Sequence, residues 1–252
     1  MRGNLKAFSV VRVPTAEEER ERAISQQRQQ LVRERQRLQA MGRSLLAMHG
    51  IHVSGRWWQG KTWSKIRSEA PEWVIERLEV FSRLIAPLET VSAKLTSQIE
   101  AADQKIPKGV GPLTFEVLCR EVGDWSRFTN RRQVSSYTGL CPREHSSGGK
   151  RRSGSVSKSG NPRVRAMLVE MVWRMTRWQP GYHGLQKWLP VLADPARGGA
   201  ARKKAVVAIA RQLAVDLWRV FTGQTTAENV GLVYLPDGRM TRINPTSIHC
   251  QP

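Results

Sequence analysis

Apolar positions along the chain fall into a helical rhythm, broken at a few glycine- and proline-rich points. Ile24, Leu31, Leu38 and Leu45 recur every seven residues among Arg, Gln and Glu, and no proline follows Pro14 until Pro71. A seven-residue apolar repeat marks a coiled-coil seam, although the other core position of each heptad is mostly polar here. Thr15 can cap this helix, and Glu17, Glu18 and Glu19 suit its positive end. Gly50 and Gly55 in "HGIHVSG" end it. After a tryptophan-rich turn, "RWWQGKTW", a second helical run carries Val74, Leu78, Phe81, Leu84, Ile85, Leu88, Leu95 and Ile99, with Pro87 as a point of kinking. Together the two runs predict a long antiparallel helical hairpin.

Further on, "KGVGPLTFEVL" brackets one apolar residue with Gly109 and Gly111 and opens a helix on Pro112, a residue suited to a first helical position. The pattern resembles the helix-hairpin-helix module, whose glycine turn offers backbone amides to a DNA phosphate. So short a pattern is equally an ordinary tight turn. "NRRQVSSYTGLCP" reads as a short amphipathic helix ending at Gly139, with Val134, Tyr137 and Leu140 inward. In "NPRVRAMLVEMVWRMTRW" the apolar face is Val164, Met167, Leu168, Met171, Val172 and Met175, whose methionines read as core. "ARKKAVVAIARQLAVDLWRVFTGQ" is the last helix, and the residues beyond Glu228, with Pro236, Gly238, Pro245 and Pro252, read as a loosely held tail. The predicted fold class is all-α: a long coiled-coil hairpin, then a compact helical domain with a helix-hairpin-helix-like turn.

Composition adds a partner. The chain has 252 residues, 40% hydrophobic with nine tryptophans, enough for a sizeable ordered core. Forty-one Lys and Arg against 21 Asp and Glu give a net charge of +20, which calls for a polyanion, and nucleic acid before an anionic membrane. No apolar run approaches the roughly 18 residues of a membrane span, and "MRGNLKAFSVVRVP" lacks the apolar region of a signal peptide. Cys119, Cys141 and Cys250 have neither disulfide-framework nor zinc-site spacing, and fit a reducing cytoplasm.

The charge concentrates in "REHSSGGKRRSGSVSKSGNPRVR". From Arg143 to Arg177 the basic residues are Arg143, Lys150, Arg151, Arg152, Lys158, Arg163, Arg165, Arg174 and Arg177, opposed only by Glu144 and Glu170. Glycines there allow close backbone approach to a ligand. Ser146, Ser147, Ser153, Ser155, Ser157 and Ser159 share the segment, and composition does not choose among them. A serine nucleophile needs a base and needs charge stabilisation at the phosphate it attacks. Arg and Lys supply the second; for the first, His145 is a candidate and equally an ordinary loop histidine. On composition alone a solvated basic loop remains open.

Several spaced motifs in one order narrow the choice. The "GVGP" turn, "SYTGLCP", "SSGG" and "SKSGNPRVR" resemble the C-terminal transposase domain of the insertion-sequence transposases known as bridge-RNA-guided recombinases, relatives of the pilin-gene inversion protein. "VVRVPTAEEERER" and the arginine-rich helix after it fit the segment leading into that family's coiled coil. The resemblance implies a nucleophilic serine just before a glycine, placed on Ser147, with Ser146 as the alternate one residue away. It implies attack on a DNA phosphodiester, a covalent phosphoserine, strand exchange, and target choice by pairing to a bridge RNA. Arg143, Lys150, Arg151, Arg152, Lys158, Arg163, Arg165, Gly109 and Gly111 become the expected nucleic-acid contacts.

Complete members of that family begin with a RuvC-like domain whose four acidic residues bind divalent metal. Here the resemblance starts at about Arg2, so the expectation is an N-terminally truncated, catalytically incomplete copy without a metal site or cofactor of its own, the family's Mg2+ belonging to the missing domain. The implied organisation is 1–15 as remnant linker, 16–103 as coiled-coil hairpin, 104–228 as serine transposase domain and 229–252 as loosely ordered tail. Expected partners are DNA, a guide RNA and a second copy through the coiled coil, with no membrane, at the bacterial nucleoid in the cytoplasm. The competing reading is a non-catalytic DNA- or RNA-binding module derived from a transposase. A purely structural coiled coil is disfavoured by the charge.

Overall fold

The computed structural model describes residues 12–101, 105–144, 153–194 and 196–235. They are predominantly helical, as the apolar rhythm predicts, and they form two compact units: residues 19–101, and the segments on either side of them.

In the first unit α1 (Ala16–Met48) and α3 (Glu72–Glu100) run antiparallel, joined through α2 (Gly60–Glu69). Arg28 Nε donates to Thr96 Oγ1 at 2.6 Å, and Arg35 pairs with Glu89 at 3.6 Å, so seven residues forward on α1 is seven back on α3. The buried line on α1 is Ser25, Gln39, Gly42 and Leu46, facing Val74, Leu78, Ile85, Ser92 and Ile99 of α3. The predicted seam of Ile24, Leu31, Leu38 and Leu45 lies beside that line, half-buried. Arg28 and Arg35 are half-buried on the same helix and reach across to Thr96 and Glu89. Leu84, also predicted inward, is half exposed.

The tryptophan-rich turn contains the helix α2, which sequence reading passed over as a connection. Trp57 is fully buried, and its Nε1 donates to the Gln39 carbonyl at 3.1 Å. Its indole fills the space left by Gly42, where a Cβ would overlap the ring. Leu46, Trp57, Trp58, Ile66, Val74, Leu78 and Ile85 form one apolar cluster, so the turn closes the end of the hairpin with core.

The second unit is built on α9 (Gly199–Phe221), buried along Ala205, Val206, Ile209, Ala210 and Leu213 to Trp218. Against it pack α5 (Arg131–Thr138), α6 (Pro162–Trp178), α7 (His183–Gln186) and α8 (Leu189–Ala193), while α4 (Pro112–Val122) packs on α6. Thr15 and Glu18 form a reciprocal capping box at the start of α1: the Glu18 amide donates to Thr15 Oγ1 at 3.2 Å and the Thr15 amide to Glu18 Oε2 at 2.8 Å. That backbone bond, with the Arg12 guanidinium, holds the Glu18 carboxyl below its ordinary range, and Arg12 also reaches Asp124 at 3.9 Å.

Two local features depart from the sequence expectation. A short antiparallel pair, β1 (Pro142–Glu144) and β2 (Ser153–Val156), stands in an otherwise helical fold. The start of the tail is also anchored. The Lys108 amide donates to the Val233 carbonyl at 2.8 Å, the Leu235 amide to that of Ile106 at 3.0 Å, and Leu232 is buried in the core. Backbone pairing with the "KIPKG" segment supplies what composition could not show. Among the described residues no helix is long and apolar enough to cross a membrane.

Candidate functional site

β1 and β2 bracket residues 145–152, which hold Ser146, Ser147, Lys150, Arg151 and Arg152 and lie outside the described residues. The residues that flank this segment form a tight backbone crossing. Gly139 ends α5 in the left-handed region, and Gly160 crosses it so closely that a Cβ on Gly160 would overlap the Tyr137 carbonyl oxygen and the Gly139 amide. Around the crossing the Lys158 amide donates to the Gly139 carbonyl at 3.1 Å, the Ser157 amide to that of Cys141 at 2.8 Å, and the Asn161 amide to that of Tyr137 at 2.7 Å. "SYTGLCP" and "SKSGN", far apart in sequence, are thus one hydrogen-bonded unit from which both strands spring.

Beneath the crossing sits a buried carboxylate. Asn161 Nδ2 donates to Glu121 Oε2 at 3.0 Å, Arg163 Nε lies 3.0 Å from Glu121 Oε1, and the Tyr137 hydroxyl donates to the Glu121 backbone carbonyl at 2.7 Å. Asn161 also caps α6, its Oδ1 accepting from the Arg163 and Val164 amides, with Pro162 in the first turn. One asparagine therefore ties α4, α5 and α6 together where the basic segment enters α6.

The expected nucleic-acid contacts divide by environment. Arg163 is mostly buried against Glu121, a position that holds the fold together. Arg165 donates through one guanidinium nitrogen to the Thr138 carbonyl at 3.2 Å, and Arg143 to that of Ser157 at 3.2 Å, so both brace the crossing. Lys158 is exposed at φ 58, a conformation uncommon for a side-chain-bearing residue. The "GVGP" turn is also built into the core. Gly109 has φ 81 and lies against Trp178, where a Cβ would clash, and the Val110 amide is spent on the Pro107 carbonyl at 3.0 Å. Gly111 caps α4 with open space around its Cα. Sequence reading missed Glu121, Tyr137 and Asn161 as a group; the "NP" dipeptide before an apolar helix was the one local signal for Asn161.

Among the described residues no group of three or more His, Cys, Asp or Glu is placed to hold a metal ion.

Comparison with known proteins points to transposases. Residues 105–185 match the Transposase IS116/IS110/IS902 family. The y4rJ protein of Sinorhizobium fredii, which carries a transposase name, is 32% identical over 249 residues, covering 86% of this chain and 61% of its own length. The transposase for insertion sequence element IS1111A of Coxiella burnetii is 37% identical over 124 residues, 49% of this chain and 33% of that protein. The pilin gene-inverting protein of Moraxella bovis is 29% identical over 106 residues, 42% of this chain and 31% of its own. This chain thus spans about three fifths of y4rJ. The stretch that is similar to the IS116/IS110/IS902 transposase family, residues 105–185, is the one that holds the Gly139–Gly160 crossing.

Proposed function

We propose that this chain takes part in DNA transposition by strand exchange, with Ser147 as nucleophile and Ser146 as alternate. The Ser147 oxygen forms a bond to a DNA phosphorus, a P–O bond of the phosphodiester breaks, and the departing deoxyribose oxygen takes up a proton as the serine gives up its own. Reversal by a different strand end reseals the backbone. Lys150, Arg151, Arg152 and Lys158 neutralise charge that builds on the attacked phosphate, and the target is chosen by pairing to a guide RNA.

The observation that carries this reading is the doubly braced crossing at Gly139 and Gly160, which ties β1 and β2, the strands on either side of residues 145–152, to α5 and α6. A nucleophile on a long segment needs such anchoring to reach an attack geometry repeatedly. A merely adhesive basic loop gains less from it, because its attraction to phosphate is sequence-independent and lets the protein slide along the strand.

The test supplies the chain with DNA bearing a family element end and with the acidic metal-binding domain of a relative, then looks for a protein–DNA adduct by denaturing electrophoresis and mass spectrometry. The expected result is a phosphoserine adduct at Ser147, abolished by Ser147→Ala. An adduct that survives both Ser147→Ala and Ser146→Ala overturns the nucleophile assignment. DNA binding without any adduct favours the non-catalytic module.

A further inference from the structure

A second basic surface lies away from the serine segment. Between α5, α7 and α9 is a cleft of about 710 Å³ whose walls carry Arg131, Arg132, Lys187, Arg211, Arg219 and Trp188. Among the described residues none of the five cations is ion-paired with a carboxylate. One carboxylate, Asp216, also lines the cleft, but it is buried and both its oxygens accept hydrogen bonds from uncharged donors. Its Oδ2 accepts from the Tyr182 hydroxyl at 2.7 Å and its Oδ1 from Gln212 Nε2 at 2.8 Å. Arg211 is held by a bond from its Nε to Ser135 Oγ at 3.2 Å, while Arg131, Arg132 and Lys187 are exposed.

Five like charges around one concavity repel each other, so the arrangement is stabilised by an anion that reaches several at once. Trp188 narrows the choice of anion. It is half-buried, packed on the hydrophobic core while lining the cleft with the cations, and an aromatic side chain in a basic groove is the platform on which an unstacked base lies while its phosphates meet the cations. A base inside a duplex is already stacked and has no use for it.

We propose that this cleft binds a single-stranded nucleic acid, phosphates on Arg131, Arg132, Lys187 and Arg211 and a base on Trp188. The inference shares with the proposed function the premise of a nucleic-acid partner, but it does not depend on Ser147.

The experiment measures binding of fluorescent oligodeoxythymidine and oligouridine to the full chain across a salt series, for wild type, Ser147→Ala and the triple variant Arg131→Gln, Arg132→Gln, Lys187→Gln. Three lost contacts should weaken binding about 100-fold at about 0.1 M salt and make the slope of log K against log salt shallower by about 2. Ser147→Ala should bind as wild type, which separates this result from failure of the nucleophile assignment. Equal affinity for both oligomers marks a phosphate-and-stacking site; tighter oligouridine binding adds a contact to the 2′-hydroxyl and supports RNA as the occupant. Unchanged affinity and slope in the triple variant overturn the inference, as does absence of binding by wild type or equal displacement by a duplex competitor. Should the variant misfold, photocrosslinking of bromouracil-substituted strand to wild type decides: a crosslink at Trp188 supports the cleft, and crosslinks confined to other residues overturn it.

Discussion

Glu121 is the residue on which most of the site's local order turns. Its side chain is wholly inaccessible, it lies 3.0 Å from Arg163, and it accepts from Asn161. Removing one partner of a buried pair leaves a desolvated charge behind, so Glu121→Gln should cost roughly 3 kcal/mol of stability in urea denaturation. A variant as stable as wild type would show that Arg163 is satisfied elsewhere. The sequence did not show this role, because Glu121 meets Tyr137 from 16 residues away and Asn161 from 40. Nothing local distinguishes it from Glu116, which pairs with Arg120 on the same helix. Arg163 is obscured for the same reason: among so many basic residues, only burial against Glu121 separates it from exposed Lys158. Cys119 makes a similar point, since burial pushes its thiol up to about 12 and sequence alone gives no hint of it.

At the scale of elements, the long helices were legible, and so was the inward face of α3 and of α6, but not that of α1. The heptad of Ile24, Leu31, Leu38 and Leu45 announces α1 correctly, yet the helix turns Ser25, Gln39, Gly42 and Leu46 inward. Periodicity reports the side of a helix to within about one residue, and here the deciding contact is Trp57 arriving from the turn. Gly42→Ala makes this measurable. In a free helix the change stabilises by roughly 0.5–1 kcal/mol. Against the Trp57 ring the overlap should outweigh that gain and leave the protein about 1–2 kcal/mol less stable in chemical denaturation. A net gain would mean that the indole moves aside at little cost. The β1–β2 pair escaped prediction because three- and four-residue strands carry too little alternation to read.

For the whole molecule, the ends of the chain matter more than composition suggests. Arg12 reaches Asp124, and the segment around Leu232 pairs with residues 106–108, so the unit on either side of residues 19–101 is closed by parts distant in sequence. Leu232→Ala should therefore cost about 2–4 kcal/mol in the same denaturation measurement, as for a core leucine. A loose tail would show no change.

The sequence by itself determined the helical class, the turns at Gly109 and Gly139, the basic character and the order of motifs that resembles a transposase. Those depend on spacing, backbone permissiveness and charge, which are properties of neighbouring residues. Tertiary structure decided that Gly139 and Gly160 meet, that Glu121 holds Arg163 under them, and that Arg131, Arg132, Lys187 and Arg211 converge on one cleft. Each of these joins residues that no local pattern links, and burial, which sets the energy of a charge, exists only once the chain has folded.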